Sequence, residues 1–457
     1  MPRMSRWMLA LVSLGVAACG DHGGNYAPNY EIPAGPTARI QVLHASPDAP
    51  RVDVLIDGRL AISGLDYGHG TGEQALASNA AHLIAVQAET PGAPTTVIGP
   101  TSLSLLANTD YVIVAEGPIA SIGPVIFSHL LAAVPPASVQ VEILHAAPNA
   151  PAVAVYVTAP GADLGSSTPF GTVAFQGSLG PEQIPAGAYE IRVTPADAVT
   201  PVLFDSGTIT LGGGSDLVIA ALQNTGPGAA PITLGVVDAA GNNSRILDVA
   251  TPTNLRFVNA SPNAPPLSVI TNGNASTPLV PSLAFESFTP YVSLTAAPID
   301  VAVTPASTTS DELIHQTLNG AAGSVHSFYA VGDLASIEAL VTRDDDRRLA
   351  TQAKLRIIHA APSAGLVDIY LTAPGASLAA LSPTYPAVPF GADTEFVSYA
   401  AGSYDVTITA AGSKTAAIGP LAVTLANKGL YTAVARDAPG GGAPLGVLLL
   451  DDFAATP

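Results

Sequence analysis

The sequence has little cysteine, lysine or charge of any kind. Its one cysteine, Cys19, leaves no partner for an intramolecular disulfide. Charged residues make up 11% of the 457 residues, the lysines are Lys354, Lys414 and Lys428, and the formal net charge is −19. A surface so poor in cations cannot follow a phosphate backbone, so nucleic acid is excluded as a partner.

Tryptophan, methionine and long apolar runs are also scarce. Trp7 and the methionines fall within the first eight residues, and after that region no apolar run is long enough to span a bilayer. The chain is nevertheless 48% hydrophobic, with 43 Gly and 41 Pro. Frequent turns between stretches rich in Val, Ile and Thr favour short strands, which must be stabilised by packing and backbone pairing.

The N-terminus reads MPRMSRWMLALVSLGVAACG and has the parts of an export signal. Arg3 and Arg6 precede an apolar stretch, and the small residues before Cys19 resemble a bacterial lipobox. That resemblance implies a signal peptide over 1–18, a lipid on Cys19, membrane attachment and a flexible tether over 19–36. An ordinary secretory signal is the alternative. In a bacterium with two membranes, Gly20 after the cysteine resembles lipoproteins that are sorted to the outer membrane. The repeats could then face either the periplasm or the medium.

A nine-residue motif occurs four times, beginning at residues 42, 143, 257 and 357. The copies read VLHASPDAP, ILHAAPNAP, FVNASPNAP and IIHAAPSAG. Their separation of roughly a hundred residues is too long for a propeller blade and matches a whole small domain. Alternating runs such as ARIQVLHA and RVDVLIDG flank each copy, so the motif is predicted to join two strands.

Many short alternating runs in each repeat predict an all-β chain of four tandem immunoglobulin-like antiparallel β-sandwiches. A small barrel is the alternative for each repeat. The predicted domains are 37–134, 138–250, 253–343 and 353–457. The charge run RDDDRRLATQA at 343–353 lacks the spacing of a calcium loop, and we expect it to be a solvated joint.

His44, Asp48 and Asp53 in the first repeat could suggest acid–base or metal chemistry. The other copies argue against this. The His position becomes Asn259 in the third copy, and the acidic positions become Asn, Ser or Ala everywhere except at Asp368 in the fourth. A hydrogen-bonding turn tolerates such replacements, so His44→Asn should change stability only modestly. The predicted turn residues are His44, Pro47, Asp48, His145, Pro148, Asn149, Asn259, Pro262, Asn263, His359, Pro362 and Ser363.

The remaining candidates for chemistry are weaker. His69 and Glu73 lie in the glycine-rich stretch DYGHGTGE, which we expect to be a surface loop, although metal binding there or at His44 stays open. The sequence has no nucleophile elbow, no His-Glu-x-x-His and no phosphate loop or dinucleotide fingerprint. We therefore expect no catalytic residue and no cofactor.

The motif, the following VDV or VDIY segments, and the segments PAGAYEIRVTP and LANKGLYTAVA resemble the bacterial family called domain of unknown function 4397. This resemblance implies an exported, often anchored β-domain in tandem copies, without an established activity.

Three functions are compatible with these observations. The first is a non-enzymatic envelope lipoprotein that acts as a spacer or in adhesion, matrix contact or envelope assembly. The second is a module that binds surface glycans, which would need exposed aromatic faces such as Tyr26, Tyr30 or Tyr67. The third and weakest is a hydrolase whose site is distributed across repeats.

Overall fold

The computed structural model describes residues 25–26 and 35–454. The predicted signal peptide, Cys19 and most of the predicted tether lie outside these residues. The all-β prediction is confirmed, since β-strands dominate the described chain. None of its helices has the length and apolarity needed to cross a membrane. The helices are short 3-10 turns at Ile119–Ser121, Leu164–Ser166, Leu334–Ser336, Pro362–Ala364 and Leu378–Ala380.

The described strands form eight sheets, two for each copy of the motif. The strand that leads into the motif lies in one sheet, which we call the motif sheet. The strand that follows the motif lies in the other, which we call the outer sheet. The four pairs of sheets are called units 1 to 4 in chain order.

Unit 1 consists of β1 (Asn25–Tyr26), β2 (Thr37–Ala45), β3 (Val52–Ile56), β4 (Arg59–Leu65), β5 (Gln74–Ala77), β6 (Ala81–Ala88), β7 (Thr95–Ser104), β8 (Thr109–Glu116) and β9 (Gly123–Leu130). Its motif sheet has the order β5-β2-β8-β9, and its outer sheet has the order β1-β4-β3-β6-β7.

Unit 2 consists of β10 (Ser138–Ala146), β11 (Val153–Thr158), β12 (Gly171–Val173), β13 (Ser178–Pro185), β14 (Gly187–Pro195), β15 (Phe204–Leu211), β16 (Asp216–Gln223), β17 (Ile232–Asp238) and β18 (Asn243–Ile246). Its motif sheet has the order β13-β10-β16-β17-β18, and its outer sheet has the order β12-β11-β14-β15.

Unit 3 consists of β19 (Thr253–Asn259), β20 (Leu267–Thr271), β21 (Val280–Leu283), β22 (Val292–Leu294), β23 (Ala297–Pro305), β24 (Ile314–Gly320), β25 (Val325–Val331) and β26 (Glu338–Arg343). Its motif sheet has the order β22-β19-β25-β26, and its outer sheet has the order β21-β20-β23-β24.

Unit 4 consists of β27 (Ala353–Ala360), β28 (Val367–Thr372), β29 (Tyr385–Val388), β30 (Val397–Tyr399), β31 (Gly402–Ala410), β32 (Ala416–Leu425), β33 (Leu430–Arg436) and β34 (Gly446–Asp451). Its motif sheet has the order β30-β27-β33-β34, and its outer sheet has the order β29-β28-β31-β32.

The prediction of antiparallel sheets is wrong for one strand pair in each unit. Each motif sheet contains one parallel pair, formed by β2 with β8, β10 with β16, β19 with β25, and β27 with β33. Alternation in a sequence indicates which face of a strand is apolar, but it does not indicate the direction of the neighbouring strand. The strands of the outer sheet intervene in the chain and provide the long connection that a parallel pair requires.

Each unit encloses its own apolar core between its two sheets. In unit 1, Val42 and Ile113 from the motif sheet pack with Val54 and Val86 from the outer sheet. Corresponding clusters fill units 2, 3 and 4. The motif therefore carries the chain from one sheet of a sandwich to the other, across the edge of a core.

The motif sheets of neighbouring units also pack against each other. Leu43 of unit 1 and Leu144 of unit 2 lie in one shared apolar cluster, and Val258 of unit 3 and Ile358 of unit 4 lie in another. The central strands of a motif sheet are thus buried on both faces, and every residue of β8 is buried. This explains why these strands read as nearly continuous apolar runs.

Candidate functional site

The motif forms the same hydrogen-bonded turn at its histidine positions. His44 Nε2 lies 3.0 Å from the carbonyl oxygen of Pro50, and the backbone N–H of Ser46 lies 3.4 Å from His44 Nδ1. His145 and His359 make the equivalent contacts in units 2 and 4. In unit 3, Asn259 accepts from the N–H of Ser261 and donates to the carbonyl of Leu283 instead.

The polar residue at the seventh position of the motif ties the turn to the loop that follows the third motif-sheet strand in chain order. Asp48 accepts from the N–H of Ile119 at 2.7 Å, and Asn263 accepts from the N–H of Leu334 at 2.7 Å. The other two copies make comparable contacts, from Asn149 to the carbonyl of Pro231 and from Ser363 to Asp437. The prolines Pro47, Pro148 and Pro262 occupy turns, and Pro362 begins a short 3-10 helix.

The motif histidines are held in their neutral form. Burial, and secondarily the charge of Arg347, lowers the pKa of His44 to about 4. Burial likewise lowers the pKa of His145 and of His359. A neutral imidazole with one nitrogen donating and the other accepting suits the two backbone contacts of the turn.

The acidic residues considered for chemistry in the first repeat each have a separate partner. Asp48 binds the loop at Ile119, whereas Asp53 accepts from the N–H of Gly64 at 2.9 Å. Glu73 pairs with Arg39 at 2.6 Å. Among residues 25–26 and 35–454, the His and carboxylate group with metal-ligand spacing contains none of these residues.

The glycine-rich loop at 66–73 is not a surface loop, contrary to the prediction. Gly70 exchanges two hydrogen bonds with the side chain of Asn243 in unit 2, at 2.7 and 2.8 Å. A Cβ atom at Gly70 would lie 2.9 Å from Val237, so glycine permits the close approach of the two units. The contacting residues are far apart in the chain, and a local sequence pattern cannot show them.

The charge run after unit 3 is solvated only in part, because some of its side chains bind residues of other units. Arg347 donates to the carbonyl of Ala49 at 2.7 Å and to Asp66 at 2.6 Å, both in unit 1. Asp345 forms an ion pair with Lys354 of unit 4. The run therefore connects units 1, 3 and 4, because its charges have partners that lie far from it in sequence.

Asp344 lies at the centre of a buried ionic cluster between units 3 and 4. It accepts hydrogen bonds from Arg356 at 2.6 Å, from Thr342 at 2.9 Å and from Tyr291 at 2.5 Å. Although burial acts to raise it, the charges of Arg356 and Arg256 hold the pKa of Asp344 below its usual range. The side chain is therefore a fully engaged carboxylate.

Units 3 and 4 exchange the same kind of Arg–Asp contact in both directions. Arg256, on the motif strand of unit 3, binds Asp451, which ends the last strand of unit 4. Arg356, on the motif strand of unit 4, binds Asp344, which follows the last strand of unit 3. Units 3 and 4 are thus joined by two reciprocal Arg–Asp pairs.

An open cavity of about 820 Å³ is bordered by residues of all four units. Its walls include Arg245, Asn243, Ser244, Arg343 and Glu395. Two aromatic rings also line it, but Arg347 covers Tyr67 at 5.4 Å and Arg356 covers Phe396 at 4.4 Å. Tyr67 is only 3% exposed, so it does not provide the open face considered for sugar stacking.

A second polar cluster lies between the motif sheets of units 1 and 2. Atoms of Asp110, His129 and Asp216 come within 4.8 Å of one another. His129 Nε2 is 3.9 Å from Asp110 Oδ2, and His129 Nδ1 is 3.9 Å from Glu142 Oε2. Gln140 donates to Asp216 at 2.8 Å. A histidine among carboxylates is a donor set that a divalent metal ion can use.

Burial and mutual repulsion alter the acidity of this cluster. Burial, and next the charges of Glu73 and Asp216, raises the pKa of Asp110 to about 7. Burial and the charge of Asp216 raise the pKa of Glu142 to about 7. Burial also raises the pKa of Asp216 and lowers that of His129. Each group is thus disfavoured in its charged form.

The sequence alone does not reveal this cluster, because its residues come from four strands in two units. Asp110 lies on β8, His129 on β9, Glu142 on β10 and Asp216 on β16. The one usable signal was the replacement of apolar residues by acids and a histidine within strands that are otherwise apolar. Comparison of the four repeats, position by position, could have drawn attention to Glu142.

Comparisons with known proteins agree with the repeated architecture. The family model described as Domain of unknown function (DUF4397) matches residues 38–156 and 253–370. Each match covers one unit and ends in the strand that follows the motif of the next unit. No curated protein matches the chain. Among solved structures, the Bacillus anthracis TIE protein is 11% identical, with 87% of this chain and 68% of that chain covered and a TM-score of 0.16.

The two family matches together cover more than half of the chain and start in the motif strands of units 1 and 3. They include complete motifs in all four units. The chain belongs to the family of the domain of unknown function DUF4397.

Proposed function

We propose that this protein is a non-enzymatic, lipid-anchored protein of the bacterial cell envelope that acts in adhesion, matrix contact or envelope assembly. In this proposal a lipid on Cys19 holds it in the outer membrane, and four immunoglobulin-like domains follow at 37–134, 138–250, 253–343 and 353–457. The separate apolar core of each unit supports this division.

The observation that carries the proposal is that the units are packed into one body. Motif sheets pack face to face within the pairs 1–2 and 3–4. Arg347 then binds Asp66, and Ala350 donates to the carbonyl of Asp48 at 2.8 Å, which joins the segment after unit 3 to unit 1. Such a body suits presentation of a fixed surface better than service as a flexible spacer.

The engagement of the motif histidines supports a non-enzymatic role. Each ring nitrogen of His44 has a backbone partner, so neither is available to a substrate without breaking the turn. A hydrolase with a site distributed across repeats is the remaining enzymatic alternative. Hydrolysis of an ester, glycoside or peptide in a turnover screen would favour that alternative and contradict this part of the proposal.

Membrane attachment is tested by comparing the wild-type chain with Cys19→Ala in cells fed labelled palmitate. We expect label on the wild-type protein and no label on the variant. Proteinase K applied to intact and lysed cells then reports the membrane face. Digestion on intact cells supports adhesion or matrix contact, whereas protection until lysis supports envelope assembly. A wild-type protein found free in the medium would contradict the anchor.

The central cavity favours glycan binding as a second candidate function. Amide, hydroxyl, carboxylate and guanidinium groups line it, and these groups can donate hydrogen bonds to sugar hydroxyls or accept hydrogen bonds from them. The arginines that cover its aromatic rings weigh against stacking of a sugar ring.

Affinity electrophoresis in gels loaded with cell-surface polysaccharides tests the second candidate. Retardation of the wild type that is lost in Arg343→Ala, with the fold preserved, would support a glycan in the cavity. Arg59→Ala, on the exposed end of β4, is the matched control and should migrate as the wild type. Unretarded migration with every polysaccharide would contradict glycan binding.

A further inference from the structure

Carboxyl groups and one imidazole meet where the motif sheets of units 1 and 2 pack together. Asp110 and His129 face each other across β8 and β9, while Asp216 comes from the first residue of β16 in unit 2. Glu142, on β10, approaches the imidazole from the Nδ1 side. Two elements from each unit therefore contribute to one small volume.

Several polar atoms in this volume are buried without a hydrogen-bond partner. The side chains of Asp110 and Glu142 are 6% and 4% exposed. Glu142 Oε2 and both ring nitrogens of His129 have no hydrogen-bond partner, and Asp110, which lies beside the carboxyl group of Glu73, has no donor for its Oδ1. Buried polar atoms are nearly always satisfied in native proteins, so this group of unpartnered oxygen and nitrogen atoms points to a ligand that binds among them.

Units 3 and 4 provide an internal comparison for this position. Arg356, which directly precedes the motif, binds Asp344 there at 2.6 Å. Glu142 also directly precedes the motif, so it corresponds to Arg356. Its partner His129 lies near the end of the last strand of unit 1, and Asp344 directly follows the last strand of unit 3, so these two residues also correspond. The pair 3–4 thus has a buried cation where the pair 1–2 has only another carboxylate.

The nearest ion pair at the rim does not supply the missing positive charge. Arg39 is engaged with Glu73 at 2.6 Å, and its side chain is 49% exposed. Gln140 satisfies one oxygen of Asp216 but brings no charge. A bound cation would balance the carboxylates and satisfy the unpartnered oxygen and nitrogen atoms together.

We propose that Asp110, His129 and Asp216 bind one divalent transition-metal ion, best matched by Zn²⁺, and that Glu142 accepts a hydrogen bond from the second ring nitrogen of His129. The imidazole favours Zn²⁺ over Ca²⁺ and Mg²⁺, which prefer oxygen ligands alone. A carboxylate that orients the histidine through its other nitrogen is the usual support of a zinc ligand.

The site would fasten unit 1 to unit 2. Asp110 and His129 belong to one unit and Asp216 and Glu142 to the other, so an ion bound among them bridges the interface. The described chain has no disulfide at this interface, since the single cysteine is Cys19. The ion would therefore stabilise the folded protein, and the stabilisation would increase with the ion's concentration and affinity, as for any ligand that binds the native state.

The test uses the full chain with Cys19→Ser, so that no thiol competes for metal, after removal of metal by chelation. Calorimetric titration with zinc chloride should show one ion per chain, and a saturating excess should raise the unfolding temperature by about 3 °C or more. Calcium and magnesium chloride should leave the unfolding temperature unchanged. Asp110→Asn and His129→Gln should each weaken zinc binding by about tenfold or more.

His315→Gln is the matched control, because His315 is exposed and lies beside Glu312 in unit 3. It should bind zinc as the parent chain does. Without metal, Asp110→Asn should unfold at the same temperature as the parent or higher, since it removes one carboxylate from a crowded group. An equal zinc shift in Asp110→Asn, His129→Gln and the parent, no zinc shift in the parent, or a less stable metal-free Asp110→Asn would each overturn the proposal.

Discussion

Arg356 is completely buried and donates a hydrogen bond to Asp344 at 2.6 Å, across the joint between units 3 and 4. Its guanidinium group also lies 4.4 Å from the centre of the Phe396 ring. Asp344 lies in the charge run at 343–353, which the sequence predicts to be a solvated joint. The joint is therefore part of the packed body, and its charges contribute to fixing how the units are arranged.

Replacing Arg356 by methionine should destabilise the protein by about 3–5 kcal/mol, because it leaves Asp344 buried with its main charge partner removed. Equilibrium denaturation in urea measures the change in the free energy of unfolding. Arg348→Met is the control, since Arg348 pairs with Asp452 at a side-chain exposure of 47% and should cost less than about 1 kcal/mol. Equal losses in the two variants would contradict the importance of the buried pair.

His44→Asn should lower the free energy of unfolding by about 1–2 kcal/mol and leave the fold intact. Asparagine can still accept from the N–H of Ser46, as Asn259 does from Ser261, but it no longer reaches the Pro50 carbonyl as the imidazole does. Thermal denaturation and circular dichroism measure this change. Loss of a binding activity in His44→Asn, with the fold preserved, would show that the histidine does more than hold the turn.

Leu144→Ala should destabilise the protein by about 2–5 kcal/mol, because Leu144 is completely buried between the motif sheets of units 1 and 2. Leu106→Ala is the matched control, since Leu106 is 63% exposed and should change stability little. Denaturant titration compares the two. A wild-type stability in Leu144→Ala would mean that units 1 and 2 do not pack through their motif sheets in solution.

Glu116→Gln should stabilise the protein by about 2 kcal/mol at pH 8 and much less at pH 5. Burial raises the pKa of Glu116 from 4.5 to about 7, so the folded state holds this proton more tightly than the unfolded state. Ionisation of Glu116 therefore lowers the free energy of unfolding as the pH rises from about 4.5 to 7. Glutamine cannot ionise, so the variant does not lose this stability. Unfolding temperatures measured across this range test the prediction.

The matched control for this pH dependence is Glu182→Gln, since Glu182 is exposed on β13. It should shift the unfolding temperature little and equally at both pH values. A Glu116→Gln chain whose gain in stability is the same at pH 5 and pH 8 would contradict a raised pKa at Glu116.

Local patterns predicted the strands more reliably than the contacts between units. The run VLHA at 42–45 correctly indicates a strand that leads into a turn, since alternation and proline act over a few residues. The same run does not reveal that Val42 faces the core of unit 1 while Leu43 faces unit 2. Whether a strand is buried on one face or on both depends on whether another unit packs against its outer face, and the strand's own sequence does not show this.

The candidate metal cluster and the ionic cluster show the same limit more sharply. Asp110 and Asp216 are separated by about the length of one repeat, and neither has a sequence neighbour that marks it as a ligand. Parallel pairing of β10 with β16 brings Asp216 beside Gln140, and packing of the motif sheets brings it near His129. Their approach is a consequence of topology, which depends on contacts between distant segments.

By itself, the sequence determined the all-β character, the fourfold repeat, the turn at each motif and the membership of the DUF4397 family, because periodicity, turn chemistry and repeated motifs are local properties. Only the tertiary structure decided the parallel strand pairs, the face-to-face packing of the motif sheets, and the burial of Arg356, Asp344 and the carboxylates around His129. These features arise when apolar faces of different units are removed from water together, which places charges from distant segments in a shared interior.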